Sequence, residues 1–402
     1  MRVLVTNASY WNALAAVRAL AQEGAEVFVA GPKKTSWVTR QGVAFWSRYC
    51  KGRFYYTDPT VSVARFVEDI AAILKRQNID VLCPIGLREV MAVLKFEEKL
   101  RPLAAIPFGS FESVARANDK AAVIEVAKAV SVPVPKTIEI CEMGKLPPEG
   151  FGPPAVVKTC VGAASQGVWY VTQASDWGKI KIAIERMRRT CREDSKLFLD
   201  PNRLLIQEFI PGSVHDVCVL AEHGNIRALV TQKRLKTSSL KGGAGLMNVT
   251  TDVPQLRDYA ARLIKELNYH GVAQLEFKHD SRDGQYKLLE INAKFWGTLA
   301  LSIAAGVNFP HLAALMALGH LPPEDHYDYE VGLIYRWRFP GEVLSWARER
   351  RQGAKFASLF SSPPGKCMTD WRWNDPLPSL YQLLSTVWKL CRREWKRESV
   401  EP

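Results

Sequence analysis

The chain of 402 residues carries eight cysteines, at positions 50, 83, 141, 160, 191, 218, 367 and 391, and no two of them form a Cys-x-x-Cys pair. That lack argues against a structural zinc site and against dithiol redox chemistry. Scattered thiols in apolar stretches instead predict free, buried cysteines in a reducing compartment. Long apolar runs are also missing. The longest candidate, Gly297 to Gly319, is interrupted by Asn308, Pro310 and His311 and reads as two packed helices rather than a membrane span. Arg2-Val3-Leu4-Val5 reads as a strand from the first residue, with no leader-type apolar region. The expectation is a cytoplasmic protein. The loop after that strand, Thr6-Asn7-Ala8-Ser9, lacks Gly-x-Gly-x-x-Gly, so a dinucleotide is not indicated. No cysteine lies in a nucleophile motif, no nucleic-acid-binding motif is visible, and there is no internal repeat. The net charge of +13 therefore stands alone as a hint of anionic partners, and a basic surface often serves solubility only.

What is present begins with alternating strands and helices. Val3–Thr6, Glu26–Ala30 and Asp80–Pro84 read as strands, and Asn12–Glu23, Val63–Gln77 and Glu89–Leu100 as helices. That βαβ pattern predicts a doubly wound parallel sheet. Ser113–Val130 reads as one further helix, stopped by Val132-Pro133-Val134-Pro135.

The chemistry-bearing residues come later. Gln274-Leu275-Glu276-Phe277 and Leu289-Glu290-Ile291-Asn292 read as two strands joined by a polar turn containing Asp283-Gly284, a hairpin signal. Asn292 lies two residues after Glu290 and so on the same face of its strand. Two carboxylates and an amide on adjacent strands suit Mg²⁺, which takes a few hard oxygen ligands together with phosphates. Upstream, the strand Val156-Val157-Lys158-Thr159 runs into a loop from Cys160 to Val168 containing Gly162 and Gly167, then into Trp169-Tyr170-Val171. Small residues there let backbone N–H groups approach phosphate oxygens. No Gly-Lys-Ser/Thr follows, so this is not the loop that precedes a helix in other nucleotide sites. Between these elements, Gln207-Glu208-Phe209-Ile210 ends a strand at Pro211-Gly212, where backbone groups could meet a purine edge. Asp216, just beyond, could accept from ribose hydroxyls or be a solvated acid.

In this order the motifs resemble those of the ATP-grasp superfamily, over roughly residues 1–320. The resemblance implies an α/β and α+β fold: a Rossmann-like domain (1–112), a small lobe with the Gly-rich loop (113–202), a large lobe with the metal site (203–320), and a basic, Trp-rich, mainly helical extension (321–402). It implies ATP and Mg²⁺ as cofactors, with two metal ions expected and Mn²⁺ as a substitute. Asn118-Asp119-Lys120 is similar to the first ATP-lysine motif, with Lys120 as the lysine. Lys158 matches the second lysine, and Gly162 to Gly167 the phosphate loop. Gln207, Glu208, Phe209 and Ile210 match the adenine hinge, Asp216 the ribose-side acid, and Glu276, Glu290 and Asn292 the metal ligands. Many relatives carry Pro-Arg after the last motif, whereas this chain has Ala293-Lys294-Phe295-Trp296-Gly297. Lysine keeps the charge but not the planar fork. Lys294, with Arg234 supplying the fork, is the expected catalytic pair.

The implied activity is ligation: a carboxylate is activated as an acyl phosphate and joined to an amine. A carboxylase-type or phosphotransferase reaction, or a nucleotide-binding regulatory protein without turnover, are the alternatives. Small-molecule carboxylates and amines are the expected partners, without nucleic acid; a homodimer is left open. Arg88, at a strand-to-helix turn, is a candidate anion contact. The stretch Lys236 to Thr251 is rich in Thr, Ser and Gly and is expected not to form a strand throughout; it reads as a lid over substrate or as a surface loop. From Val331 onward thirteen Lys/Arg face seven Asp/Glu. There Leu380, Leu383, Leu384, Val387 and Leu390 recur at helical spacing ahead of Arg392, Arg393, Lys396 and Arg397. That helix is expected to pack on the core, to touch an anionic membrane surface weakly, or to meet a protein partner.

Overall fold

A computed structural model describes residues 1–33, 42–140, 147–162, 166–239, 242–349 and 365–391. Near the N-terminus, β1 (Arg2–Val5), β2 (Glu26–Pro32), β3 (Cys50–Tyr56) and β4 (Val81–Cys83) form a parallel sheet in the order β3-β2-β1-β4. Val3, Leu4, Val5, Val81 and Leu82 have no exposed surface, as expected of strands covered by helices on both faces. The covering helices include α1 (Trp11–Gln22), α2 (Val63–Gln77) and α3 (Leu87–Lys95); the expected single helix 89–100 is broken at Phe96, and α4 (Glu97–Leu100) follows. The strand order reverses between β1 and β4. Asn7 and Gly86 stand at the carboxyl ends of those two strands, the place where open α/β sheets form a crevice.

The helix expected over 113–130 is also two, α5 (Phe111–Asn118) and α6 (Lys120–Ala129). Asp119 breaks it: its backbone is extended, and its carboxylate accepts from the N–H groups of Ala121 and Ala122. Aspartate favours this capping position because it satisfies donors that the first turn leaves unpaired. The break places Lys120 at the first residue of α6.

The small lobe is an antiparallel sheet of β5 (Thr137–Ile140), β6 (Ala155–Thr159), β7 (Val168–Val171) and β8 (Leu204–Glu208), ordered β5-β8-β6-β7. Helix α7 (Asp176–Thr190) lays Trp177, Ile180 and Ile184 against Val157, Trp169 and Ile206; the short α8 (Glu193–Lys196) follows.

The large lobe is built on seven strands: β9 (Gly212–Glu222), β10 (Asn225–Ser239), β11 (Gly242–Thr251), β12 (Gly271–Asp280), β13 (Tyr286–Asn292), β14 (Ile334–Arg336) and β15 (Cys367–Thr369), in the order β13-β12-β9-β10-β11-β14-β15. Helices α9 (Pro254–Glu266), α10 (Leu299–Ala304) and α11 (Phe309–Ala317) accompany them; the last two are the pair expected within 297–319. The stretch 236–251 departs from expectation. Its described residues continue β10 and form β11, paired from Thr231↔Thr251 to Ser239↔Gly242. β-Branched threonines suit that pairing, and the glycines are accommodated by register shifts after Arg234, Lys236 and Thr237. Leu240 and Lys241 lie outside the described residues.

The region after 320 adds helices α12 (Val343–Glu349) and α13 (Leu377–Cys391) and also β14 and the edge strand β15. Asp375, with a side chain 1% exposed, ties it to the first domain. Its carboxylate accepts from Arg18 Nε (2.8 Å), Ser47 Oγ (2.8 Å) and the Arg48 N–H (2.9 Å). Helix α13 buries Ser379 and Gln382 and stacks Tyr381 on Trp46, while Leu380, Leu383, Leu384 and Val387 face outward. The apolar stripe is thus not the face that packs on the core. Arg392 to Arg397 lie outside the described residues. No described helix is long and apolar enough to cross a membrane.

Candidate active site

Antiparallel pairing brings residues far apart in sequence into one line. Glu290 on β13 is opposite Glu276 on β12, which is opposite Asp216 on β9, which is opposite Gln232 on β10. Opposite residues in such ladders point to the same face, about 5 Å apart, and like charges placed so repel. Arg234, two residues beyond Gln232 and on the same face, offsets three carboxylates in a row. Its Nη2 donates to Asp216 Oδ1 (2.7 Å), its Nε to Asp216 Oδ2 (3.1 Å), and it pairs with Glu276 as well. Gln232 Nε2 donates to Asp216 Oδ2 (3.0 Å) and to Thr298 Oγ1 (2.6 Å).

The opposite wall supplies cations. Lys120 Nζ lies 3.5 Å from Glu290 Oε2 and donates to the Gly162 carbonyl at 2.9 Å. Lys158 and Lys294 also act on Glu290. Asn292 Nδ2 donates to Glu290 Oε1 at 3.1 Å. Burial raises the Glu276 carboxyl, with Arg234 opposing. Burial would raise Glu290 too, but Lys120 and Lys158 outweigh it and hold that group low. Lys158 and Lys294 are both lowered by burial, with Glu290 restoring part of their affinity for the proton. The cluster is therefore a closely balanced set of charges in a half-buried cleft, with the Glu276 side chain 18% and the Glu290 side chain 22% exposed.

Around it, Lys120 is positioned by the cap of α6, and Arg203 fixes that cap by pairing with Asp119 at 2.5 Å and with Glu139 at 2.9 Å. In the Gly-rich loop, a Cβ at Gly167 would stand 2.5 Å from Thr159 Oγ1, and one at Gly162 2.7 Å from the same atom. Gly167 also has φ +71°, a left-handed conformation that glycine adopts without strain. Ala163 to Ser165 lie outside the described residues. Arg88 of the first domain reaches this loop, donating from Nη2 to Gln166 Oε1 at 3.3 Å.

Not every expected residue turns toward the cluster. Gln207 Nε2 donates to Thr137 Oγ1 (3.1 Å), and the Glu208 carboxylate accepts from the Lys136 N–H (2.9 Å) and Arg282 (3.0 Å). What that segment presents is its backbone, the Phe209 ring and buried Ile210. Asp216, expected to be a ribose acceptor or a solvated acid, is fully buried, and Arg234 holds both of its oxygens. That geometry corrects the expectation: Asp216 orients Arg234. Two neighbours were missed. Lys278, two residues after Glu276, stands 5.4 Å over the Phe209 ring and donates to the Gly212 carbonyl at 3.1 Å. Tyr170 packs edge-on to Phe209 and feels both Glu276 and Glu290. Tyr170 lay within the expected strand Trp169–Val171, whereas Lys278 lies one residue past the expected strand end at Phe277, where continuing the period-2 alternation that picked out Glu276 would have reached it.

Among the described residues no three His, Cys, Asp or Glu side chains gather as a metal site. Two carboxylates and one amide oxygen still suit Mg²⁺ where phosphates and water complete the shell. The carboxylates also already attract Lys120 and Arg234, as a pair poised for a cation must.

Residues 200–338 match the family described as ATP-grasp in the biosynthetic pathway with Ter operon. D-aspartate ligase of Enterococcus faecium is 24% identical over 256 residues, which cover 57% of this chain and 58% of that protein. The chain thus spans little more than half the length of this relative. Among solved structures, the biotin carboxylase domain of Hydrogenobacter thermophilus 2-oxoglutarate carboxylase, in complex with MgADP, ADP and bicarbonate, aligns with a TM-score of 0.60 at 15% identity, covering 83% of this chain and 73% of that one. The L-amino acid ligase of Bacillus licheniformis aligns at 0.58 and 14% identity, covering 80% and 75%. The chain has an ATP-grasp-type fold, and its relatives divide between carboxylases and carboxylate–amine ligases.

Proposed function

We propose that the protein is an ATP-dependent ligase that activates a small-molecule carboxylate as an acyl phosphate and joins it to an amine. The observation that carries this reading is the cluster itself: Glu276 and Glu290 in register on one face, enclosed by Lys120, Lys158, Lys294 and Arg234. ATP lies between the lobes, with adenine against the backbone of Gln207 to Ile210 and phosphates under the Gly162–Gly167 loop. Glu276, Glu290 and the Asn292 amide oxygen would hold Mg²⁺, which would supply charge neutralisation for the phosphates. Lys120 and Lys158 then leave Glu290 for phosphate. A substrate carboxylate oxygen attacks the γ-phosphorus and ADP departs. The amine nitrogen attacks the acyl carbon, loses a proton, and inorganic phosphate leaves. Arg234, aimed by Asp216, and Lys294 stabilise the charge that develops on the transferred group. No protein nucleophile is required; positioning and electrostatics supply the catalysis.

The test is ADP formation with pools of carboxylic acids and amines, with hydroxylamine added to trap an acyl phosphate as its hydroxamate. ADP formation dependent on both pools supports ligation. Relatives among carboxylases support a second reading, in which bicarbonate is the acid that is phosphorylated. Incorporation of labelled bicarbonate without need of another carboxylate would establish it. Absence of ADP formation with every acid, bicarbonate included, would overturn both.

A further inference from the structure

The faces of helix α13 are inverted. Its polar side chains Ser379 and Gln382 are buried, and Tyr381 stacks on Trp46 of the first domain, 5.5 Å between ring centres. Leu377, Leu380, Leu383, Leu384 and Val387 are all exposed, Leu384 to 69%. Successive residues of a helix turn by about 100°, so these five fall within roughly 120° of arc and form one stripe. From Leu377 to Trp388 the chain has no charged residue to interrupt it. A surface helix ordinarily turns its apolar side to the core and its polar side to water. Five aliphatic side chains left in water forgo what burial gives each of them, and a contiguous patch of this kind marks an interaction surface. Trp373, on the segment leading into the helix, is 85% exposed as well.

The charge beside the stripe selects what covers it. Tyr381 is a helix-surface neighbour of both Leu377 and Leu384. Arg53 lies over the Trp46 ring that Tyr381 stacks on, 5.5 Å from its centre, and Lys51 is two residues before it on the edge strand β3. Both are exposed, and among the described residues neither enters an ion pair. The sequence after Trp388 adds Lys389, Arg392, Arg393, Lys396 and Arg397 against Glu394, Glu398 and Glu401. A second copy of the chain fits poorly. The seam from Leu377 to Val387 is under two heptads, short of the roughly three to four that sustain a coiled coil. A symmetric pair would also bring two cationic flanks together. An anionic lipid surface answers both features: the aliphatic stripe enters the boundary between headgroups and acyl chains, tryptophan favours that depth, and the cations meet lipid phosphate and carboxylate.

We propose that the exposed face of α13 is a docking surface for an anionic membrane, with Leu377, Leu380, Leu384 and Val387 inserted and Lys51 and Arg53 against the headgroups. The buried polar face keeps the helix on the protein body, so the enzyme lies on the bilayer without spanning it. The surface does not depend on the ligase reading, because docking requires neither ATP nor turnover.

Flotation of the full chain with vesicles of phosphatidylcholine alone, and of phosphatidylcholine and phosphatidylserine at roughly 2:1, tests it at low and high salt. Binding to the anionic vesicles at low salt is expected, at least about tenfold weaker to neutral vesicles or at high salt. Leu380→Gln combined with Leu384→Gln should weaken it at least about tenfold. Lys51→Gln combined with Arg53→Gln should weaken it at low salt. The substituted positions are exposed, and an unchanged melting temperature with retained binding of a fluorescent ATP analogue shows that each variant is folded. No binding at low salt, or equal binding to neutral vesicles, would overturn the proposal. Binding that survives the two leucine substitutions would trace it to net charge alone and overturn it too. A dimer in sedimentation velocity that those leucine substitutions dissociate, without vesicle binding, would assign the face to a second copy instead.

Discussion

Glu290 is the residue on which three lysines converge, and its role can be separated from its shape. Glu290→Gln keeps the volume and the bond from Asn292 but removes the charge that holds a divalent ion. It is expected to leave the melting temperature nearly unchanged and to lower Mg²⁺-dependent ADP formation at least about 100-fold, near 2.7 kcal/mol in the barrier. Unchanged turnover would remove Glu290 from the metal site. Lys158→Ala, assayed by nucleotide titration, should weaken ATP at least about tenfold, or 1.4 kcal/mol; a change within about twofold would make the Gly-rich segment an ordinary hairpin. Both residues were legible in the sequence because each ends a short β-branched or alternating strand, where one polar side chain stands out. The pairing of Arg234 with Asp216 was not, since it depends on which strands become neighbours, and that is decided by the sheet rather than by local pattern.

At the scale of elements, the hairpin β12–β13 was legible because alternation and the Asp283-Gly284 turn agree, and its register brings Glu276 opposite Glu290. The strands over 236–251 were misread because Gly and Ser weaken a strand taken alone, whereas pairing along β10 supplies what propensity lacks. The unbroken helix expected over 113–130 failed for a related reason: capping by Asp119 outweighs a helical pattern that runs across it; the break at Phe96 within 89–100 has no side-chain cap behind it. The reverse face of β9 carries its own prediction. His215 packs there against Tyr286 (5.1 Å between ring centres) and His279 (6.2 Å), with Ser213 Oγ at 3.0 Å. Burial first, then Lys233 and His279, lower its pKa to about 4. The unfolded chain takes up that proton near pH 6.5. Between those values the unfolded state therefore binds more protons, and stability declines as pH falls through the window. Urea midpoints at pH 7 and pH 5 should differ by the equivalent of about 2 kcal/mol from this group. His215→Phe should reduce the difference by that amount; an unaltered difference would show that His215 titrates normally.

For the molecule as a whole, the decisive contact is Asp375, which nothing in the local pattern singles out among basic and aromatic neighbours. It joins α1, the turn at Ser47–Arg48 and the segment leading into α13. Asp375→Ala leaves Arg18 without its partner in a largely buried place, and truncation of one member of such a pair costs about 3–5 kcal/mol. Equilibrium denaturation should register a loss of that order, and limited proteolysis should cut near α13 first. A variant as stable as the parent would mean that the tie is ornamental. The bond between Arg48 and Asp375 spans 327 positions of the chain. At ribosomal rates of about 5–20 residues per second, Arg48 waits roughly 15–65 s after its own synthesis for this partner to emerge. Throughout that interval the side of α1 and the Trp46 ring that the later segment covers face the cytosol of the producing cell or a chaperone. A nascent chain stalled before residue 375 would therefore be the form most exposed to aggregation, although its parallel sheet is already complete.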